Sequence, residues 1–357
     1  MSILIFNVGS SSIKYSINDL NGNLPYKTKQ EAEKIIKKII SDLNKQDIKV
    51  TAIGHRVVHG GTTKETIKID KSSIKQIEKF SELAPLHNYP QLNVIKICTN
   101  LFKVPQFAVF DTAFHVTMPE KAFTYALPAK LCKKYSIRKY GFHGTSHNYV
   151  SKYASKLLKK PLSQLKLITC HLGNGSSISA IKNGKCIDTS MGFTPLEGLV
   201  MGTRCGDIDP ALVYYLMKKE KLTFEKIDDL LNKKSGLLGI SEISKDIPTL
   251  KKSKDRRAKL AINIFCYHIK KYIGAYIAAM NGVDAIIFTA GIGENEASIR
   301  ENILFEMENL GVLLDKKRNY SKETLISSKE SKVKIFVIPT KEDLLIKEEV
   351  ERKLNSI

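Results

Sequence analysis

The feature that most constrains this chain is a partial internal echo. Residues 8–19 read VGSSSIKYSIND and residues 172–183 read LGNGSSISAIKN. In each, an apolar strand runs into glycine and serine and a second strand leaves with alternating apolar residues, one residue being inserted in the second loop. A strand, turn and strand made twice point to two related lobes.

Length agrees, because 357 residues are long for a single core. With 43% hydrophobic and 8% aromatic residues the composition is that of a globular protein. No apolar run approaches the roughly 18 residues of a membrane span, so no membrane partner is expected. The start lacks a basic n-region, and its apolar run meets Gly9 and Ser10 too early for a signal peptide. Cysteines at 98, 132, 170, 186, 205 and 266 form no CxxC pair, as in a reduced, cytoplasmic protein.

The formal charge is +21, from 57 basic and 36 acidic residues. Eight of the basic residues are arginines, and the lysines are scattered along expected helix surfaces. That pattern gives no nucleic-acid partner; a basic nucleic-acid-binding protein is kept only as a remote alternative. Where one of the rare arginines stands among glycine and histidine, its planar fork is what the position requires.

Strands are expected over 3–8 and 13–18, then an amphipathic helix over 31–45 with Ile35, Ile36, Ile39, Ile40 and Leu43 on one face. Ala52-Ile53 leads into GHRVVHGG, helices follow over 71–82 and 91–101, and the buried-type strand 106–110 stops at Asp111. In the second half, 165–170 is a strand and the following segment turns back at Lys182-Asn183-Gly184-Lys185. Residues 256–280 form a long apolar helix, 285–290 a strand, Gly291-Ile292-Gly293-Glu294-Asn295 a loop, and 333–338 a last strand before a C-terminal helix. Each strand ends in a polar or glycine-rich loop, where α/β sheets hold ligands. A strand, glycine-rich turn and helix start suit phosphate, because free backbone N–H groups and the helix dipole favour anions.

There is no GxxxxGK[ST], which excludes a P-loop. The opening loop still offers Gly9, serine hydroxyls and Lys14 to a phosphate, with a bland hairpin as the alternative. His55 and His59 lack the glutamate of HExxH and lie on a strand, where four-residue spacing does not converge on a metal. Gly144-Thr145-Ser146 lacks the second glycine of a nucleophile elbow. Arg204 stands between glycines and is followed by Asp207 and Asp209; Arg56, Arg204, Lys14, Asp111 and Glu342 together have the composition of a phosphoryl-transfer site, with cations for the transferring group and carboxylates around Mg2+.

Ten motifs in order, NVGSSSIK, GHRVVHGG, LAPLHN, FDTAFHVTMPE, YGFHGTSH, HLGNGSS, DTSMGFTPLEGLVMGTRCGDIDP, SGLLGIS, FTAGIGEN and IPTKED, span residues 7 to 343. Singly weak and jointly specific, they resemble the acetokinase family of acetate and propionate kinases. The resemblance implies an α/β fold of two duplicated ribonuclease-H-like, actin-like ATPase domains with an interdomain cleft. It implies lobes over 1–112 plus 344–357 (substrate and phosphate side) and over 113–343 (nucleotide binding and dimerisation), and a cytoplasmic homodimer. The expected activity is reversible in-line transfer of the ATP γ-phosphoryl group to acetate, giving acetyl phosphate and ADP, with Mg2+ or Mn2+. A propionate-preferring kinase is the alternative.

Carried over by motif, Asn7 and Glu342 would hold the metal, and Lys14, Ser10 and Ser12 would meet the nucleotide phosphates. Arg56 would bind the carboxyl or phosphoryl group, Asp111 would be the active-site carboxylate, and His143 and Arg204 would stabilise the transition state. The acetate methyl would lie against Val58, Leu86, Phe142 and Pro195. The nucleotide would lie across His171, Leu172, Gly173, Asn174 and Gly175, across Gly291, Ile292, Gly293, Glu294 and Asn295, and at Asp246, Ile247 and Pro248.

Three departures stand out. Near 21–30 the chain lacks roughly thirty residues of the family's first lobe, so a trimmed sheet is expected there. Pro248 stands where the family has an arginine facing the adenosine, which bears on base specificity. Cys205 replaces the usual serine beside Arg204.

Overall fold

The structure, a computed structural model, describes residues 1–9 and 11–356; Ser10, one of the expected phosphate contacts, lies outside the described residues. The chain forms two compact units, one of Met1–Val116, Phe142–Tyr149 and Lys341–Ile357, the other of Thr117–Gly141 and Val150–Thr340. The partition differs from the expected boundaries chiefly in returning Phe142–Tyr149 to the first unit. That segment is held there by its fit against the end of one strand: a Cβ on Gly144 would stand 1.9 Å from the Asp111 carbonyl oxygen. His115 Nε2 also lies 2.9 Å from the Phe142 carbonyl.

The first unit is built on β1 (Ile3–Val8), β2 (Ser12–Ile17), β3 (Leu20–Pro25), β4 (Ala52–Val57), β5 (Ile67–Lys68) and β6 (Gln106–Phe110). Their order is β3-β2-β1-β4-β6-β5. β1, β2 and β3 are an antiparallel meander, while β4 and β6 continue parallel to β1. Alternation along β1 decides what covers each face. Ile3 and Ile5 pack with Ile346 and Val350 of the helix Glu342–Leu354. Leu4, Phe6 and Val8 pack with Ile36, Ile39 and Leu43 of the helix Lys29–Lys45, which Thr28 and Glu31 close with a capping box. Each such side chain contributes roughly 1.5–3 kcal/mol by leaving water. Gly54 lets the C-terminal helix sit down on the sheet, since a Cβ there would meet Ile346 Cγ2 at 2.8 Å.

β3 was not legible in the sequence, where 21–30 reads as the shortened region. The strand survives that shortening because Leu20–Pro25 pairs along the whole of β2, with Tyr15 opposite Gly22 and its ring covering the glycine.

The second unit repeats the plan with β7 (Lys166–Leu172), β8 (Ser176–Lys182), β9 (Lys185–Thr189), β10 (Ala285–Thr289) and β11 (Lys334–Val337), in the order β11-β10-β7-β8-β9. Again a three-strand antiparallel meander is followed by two parallel strands. The echo is therefore a duplication of topology, although the registers differ: Ile13 faces Val8, whereas Ile178 faces Cys170, two residues before Leu172. A slip of two keeps every side chain on its face. Asn183 (φ 54°) and Gly184 (φ 77°) make the expected left-handed turn between β8 and β9. The helix Arg256–Met280 buries Phe265, Ile269 and Ile273 in the core that also holds Ile168, Ile178 and Ile286. One expectation is corrected: Gly291 to Asn295 are not a loop but lie in the helix Ala290–Asn295, which begins directly at the end of β10.

Candidate active site

In the first unit the chemistry gathers at the carboxyl ends of β1, β4 and β6. The parallel pairing runs to Phe6 opposite His55, which makes Asn7 and Arg56 the next neighbours, and Asp111 follows β6 directly. Arg56 grips Asp111 through Nε to Oδ1 at 3.1 Å and Nη2 to Oδ2 at 2.7 Å. Its Nη1 reaches Asn7 Oδ1 at 3.1 Å and Glu342 Oε2 at 3.1 Å. Asn7 Nδ2 donates to the same Glu342 oxygen at 3.1 Å. Glu342 gets there because it opens the C-terminal helix that packs on β1 and β4.

The electrostatics follow from that geometry. Burial opposes the charge on Arg56, but Asp111 and Glu342 outweigh it and hold its pKa above the ordinary value. Burial raises the Glu342 pKa against the pull of Arg56, with Asp111 adding to the rise and Lys14 and Asn7 countering it. Lys14 lies on β2 opposite Asn7 and is exposed. Ser12 starts β2, and its carbonyl accepts from Gly9 N at 2.9 Å.

Thr145 is a site residue that sequence reasoning missed: its Oγ1 donates to Asp111 Oδ1 at 2.8 Å. Only its place in YGFHGTSH could have flagged it. Beside it, His143 takes φ 56° at the start of the helix Gly144–Leu158, a left-handed backbone uncommon outside glycine and concentrated at functional positions. Of the expected methyl pocket, Val58 and Phe142 are buried, while Leu86, in the first turn of the helix Pro85–Leu101, is 49% exposed. His55, His59 and His115 are buried in this unit, as core histidines.

In the second unit the expected nucleotide segments converge. A Cβ on Gly202 would stand 2.3 Å from Asn174 Oδ1 and 3.4 Å from Lys245 Cβ, next to Asp246. Gly202 N also donates to the Asn174 carbonyl at 3.2 Å. Gly293 lies under the Cys170 carbonyl and Leu172, and Gly173 under Ala290. Thus His171 to Gly175, the helix Ala290–Asn295 and the Arg204 loop meet. Asp246 precedes the helix Ile247–Lys252, in which Pro248 occupies the first turn, where its missing N–H costs nothing.

Glu294 does not turn outward to a ligand. Its Oε1 accepts from Ala290 N at 2.8 Å and Thr340 N at 3.0 Å, locking the start of its own helix. Arg300, 1% exposed and also missed, clamps the other end through the Gly293 and Glu294 carbonyls.

Arg204 is half-buried, with Nη1 on the Pro195 carbonyl at 3.4 Å and near Met201 Sδ at 3.8 Å. Among the described residues no carboxylate pairs with it. Burial alone pulls its pKa down, the signature of a desolvated cation without a countercharge. Asp207, three residues beyond Arg204, accepts from Gly198 N at 2.8 Å and Tyr272 Oη at 2.6 Å, tying the base of the Arg204 loop. Asp209 caps Ala211 N at 2.9 Å. No group of three or more histidine, cysteine or acidic side chains arranged for a metal occurs among the described residues.

Two sheets of one plan, each ending in polar and glycine-rich loops, define a mixed α/β protein of the actin-like ATPase fold. The family model described as "Acetokinase family" matches residues 22–348. The acetate kinase of Halothermothrix orenii is 50% identical over 398 aligned positions covering 100% of both chains, and that of Carboxydothermus hydrogenoformans 47% identical over 99% of this chain and 100% of its own. The crystal structure of Porphyromonas gingivalis acetate kinase has 39% identity and a TM-score of 0.91, covering 99% of each chain. That of a Francisella tularensis propionate kinase has 40% identity and a TM-score of 0.91, covering 98% of each. The chain belongs to the acetokinase family.

Proposed function

We propose that this chain is an acetate kinase, moving the ATP γ-phosphoryl group reversibly onto acetate to give acetyl phosphate and ADP. The observation that carries the reading is the Arg56 fork, a cation holding Asp111 while touching Asn7 and Glu342. An acetate oxygen forms the new P–O bond as the bond to the ADP oxygen breaks, with no covalent enzyme intermediate. Arg56 orients the carboxylate, and Arg204 and His143 offset charge on the transferring group.

Asn7 and Glu342 supply hard oxygen donors that fit Mg2+, with Mn2+ as a substitute, and Lys14 supplies a point charge for phosphate. The metal, when bound, neutralises phosphate charge. Ser12 and the segments His171–Gly175, Asp246–Pro248 and Ala290–Asn295 would receive the nucleotide; Val58, Leu86, Phe142 and Pro195 would enclose the methyl group. The test is hydroxamate trapping of acetyl phosphate with ATP, Mg2+ and acetate: product from the pure protein supports the reading, and none from folded protein overturns it.

A propionate preference is the second reading, favoured by the solved propionate kinase at 40% identity and decided by kcat/KM for the two acids. We further propose a cytoplasmic homodimer. Tyr214, Tyr215 and Phe224, 68%, 55% and 75% exposed, offer apolar surface for self-association, which light scattering would measure. No helix among the described residues is long and apolar enough to cross a membrane.

A further inference from the structure

The LAPLHN motif contributes Leu86 to the pocket, yet its asparagine and the glutamine three positions beyond it have no part in the reading above. Both are on the helix Pro85–Leu101 and both are buried, Asn88 at 0% and Gln91 at 2% exposure. Asn88 pairs reciprocally with the backbone of one residue: His59 N donates to Oδ1 at 3.0 Å, and Nδ2 donates to the His59 carbonyl at 2.9 Å. Gln91, one turn on, accepts from Val58 N at 2.9 Å and donates to the Val8 carbonyl at 3.1 Å.

Those bonds fall where the β1–β4 ladder stops. The strands pair as far as Phe6 and His55, and beyond that point the Gln91 amide stands in as the rung joining Val8 to Val58. A buried amide with both ends engaged is costly to displace, because either backbone group would be left unpaired. The Val58–His59 segment is therefore fixed from the helix side as well as along its own strand. The same strap reaches a second wall: the His59 ring stacks on Phe80 at 5.2 Å between centroids and meets Phe142 edge-on at 5.6 Å.

We infer that Asn88 and Gln91 are positioning residues that set the size of the acyl pocket by holding Val58 against β1, so that the enzyme's preference between a two-carbon and a three-carbon acid is written partly in these two amides. The inference rests on the proposed pocket at Val58. A pocket that must exclude one methylene discriminates weakly at best, by about 10–200-fold, and only if its wall cannot yield. A wall held by two buried side-chain amides yields less than a loop.

The test compares kcat/KM for acetate and propionate in the parent, Gln91→Met, Asn88→Leu and Val58→Ala, with the KM for ATP and the unfolding midpoint measured alongside. Gln91→Met keeps the volume and removes both hydrogen bonds. The expected result is a propionate-over-acetate ratio raised about threefold to tenfold in Gln91→Met and Asn88→Leu, with the KM for ATP within about twofold of the parent. If Gln91→Met does not fold, Gln91→Asn, one methylene too short to span both partners, carries the same comparison. Val58→Ala separates the two ways of failing. A ratio unmoved in Val58→Ala overturns the pocket and with it the inference. A ratio raised in Val58→Ala but unmoved in the amide variants leaves the pocket standing and overturns the positioning role.

Discussion

Arg56 holds Asp111 by two side-on hydrogen bonds of 3.1 and 2.7 Å, and Asp111 is fully buried. Removing the guanidinium takes both of its hydrogen bonds from that carboxylate, which still accepts from Thr145 Oγ1. Arg56→Ala is therefore expected to lose stability by about 3–5 kcal/mol, as when one partner of a buried pair is deleted, and at least about 100-fold in kcat/KM. Arg56→Lys keeps the charge without the fork and should fall between. Urea denaturation and steady-state kinetics check both; unchanged stability in Arg56→Ala would contradict the burial argument.

Arg204 behaves differently because, among the described residues, it has no carboxylate to abandon. Its bonds to the Pro195 carbonyl and Met201 are weak, and its burial is a cost that the fold already bears. Arg204→Ala should cut kcat by about 100-fold or more while shifting the unfolding free energy by less than about 1 kcal/mol. Activity within about threefold of the parent would remove charge stabilisation from this residue.

The contrast between these arginines shows where the sequence was informative. Their scarcity among 57 basic residues marks Arg56 and Arg204 in the sequence, and the Gly-Ser echo marks the first hairpin of each sheet. Other features were silent because tertiary packing alone creates them. β3 carries three polar or glycine residues in six and forms only because β2 offers a partner. The segment Gly291–Asn295 reads as a loop by glycine content, and is helical because Glu294 and Arg300 close its two ends. Thr145 and Gln91 have no local pattern at all; their partners lie 34 and 83 residues away.

Asn7 and Glu342 make a separable prediction about metal. Asn7→Ala removes an amide oxygen that Arg56 and the proposed Mg2+ would share, and Glu342→Gln removes the charge while keeping the shape. Each should raise the Mg2+ concentration for half-maximal activity by about tenfold or more, in the range seen when metal-site partners are lost. Titrating Mg2+ at fixed ATP measures it. A lower kcat with an unchanged Mg2+ midpoint would assign the pair to Arg56 alone.

Three of the four buried histidines in the first unit, His55, His59 and His115, contribute to its acid limit. Burial lowers the pKa of His55 to about 4, of His115 to about 4 and of His59 to about 3. The folded state keeps them neutral while the unfolded chain protonates near pH 6.5, so the stability they confer is complete above that pH and is lost as pH falls toward 4. Each contributes a slope of about 1.4 kcal/mol per pH unit in that window. Urea midpoints from pH 7 to pH 4.5 should fall steeply, and His115→Gln should flatten the fall by roughly 1.4 kcal/mol per pH unit. An equal slope in that variant would show that other groups carry the acid sensitivity.

Arg300 gives the sharpest split between binding and packing. It is buried, and among the described residues no side-chain carboxylate meets its guanidinium; Nε donates to Asn319 Oδ1 at 2.8 Å and Nη2 to the Asn319 carbonyl at 3.0 Å. Nη1 donates to the Gly293 and Glu294 carbonyls at 2.8 and 3.0 Å, and burial lowers its pKa to about 10. Lysine cannot reproduce that planar set of donors, so Arg300→Lys leaves buried carbonyls unpaired and should lose about 1–3 kcal/mol. Because those carbonyls end the helix proposed to face the nucleotide, the KM for ATP should rise about fivefold to tenfold while the KM for acetate stays within about twofold. Equal increases in both constants would mean that Arg300 supports the whole unit rather than the helix Ala290–Asn295.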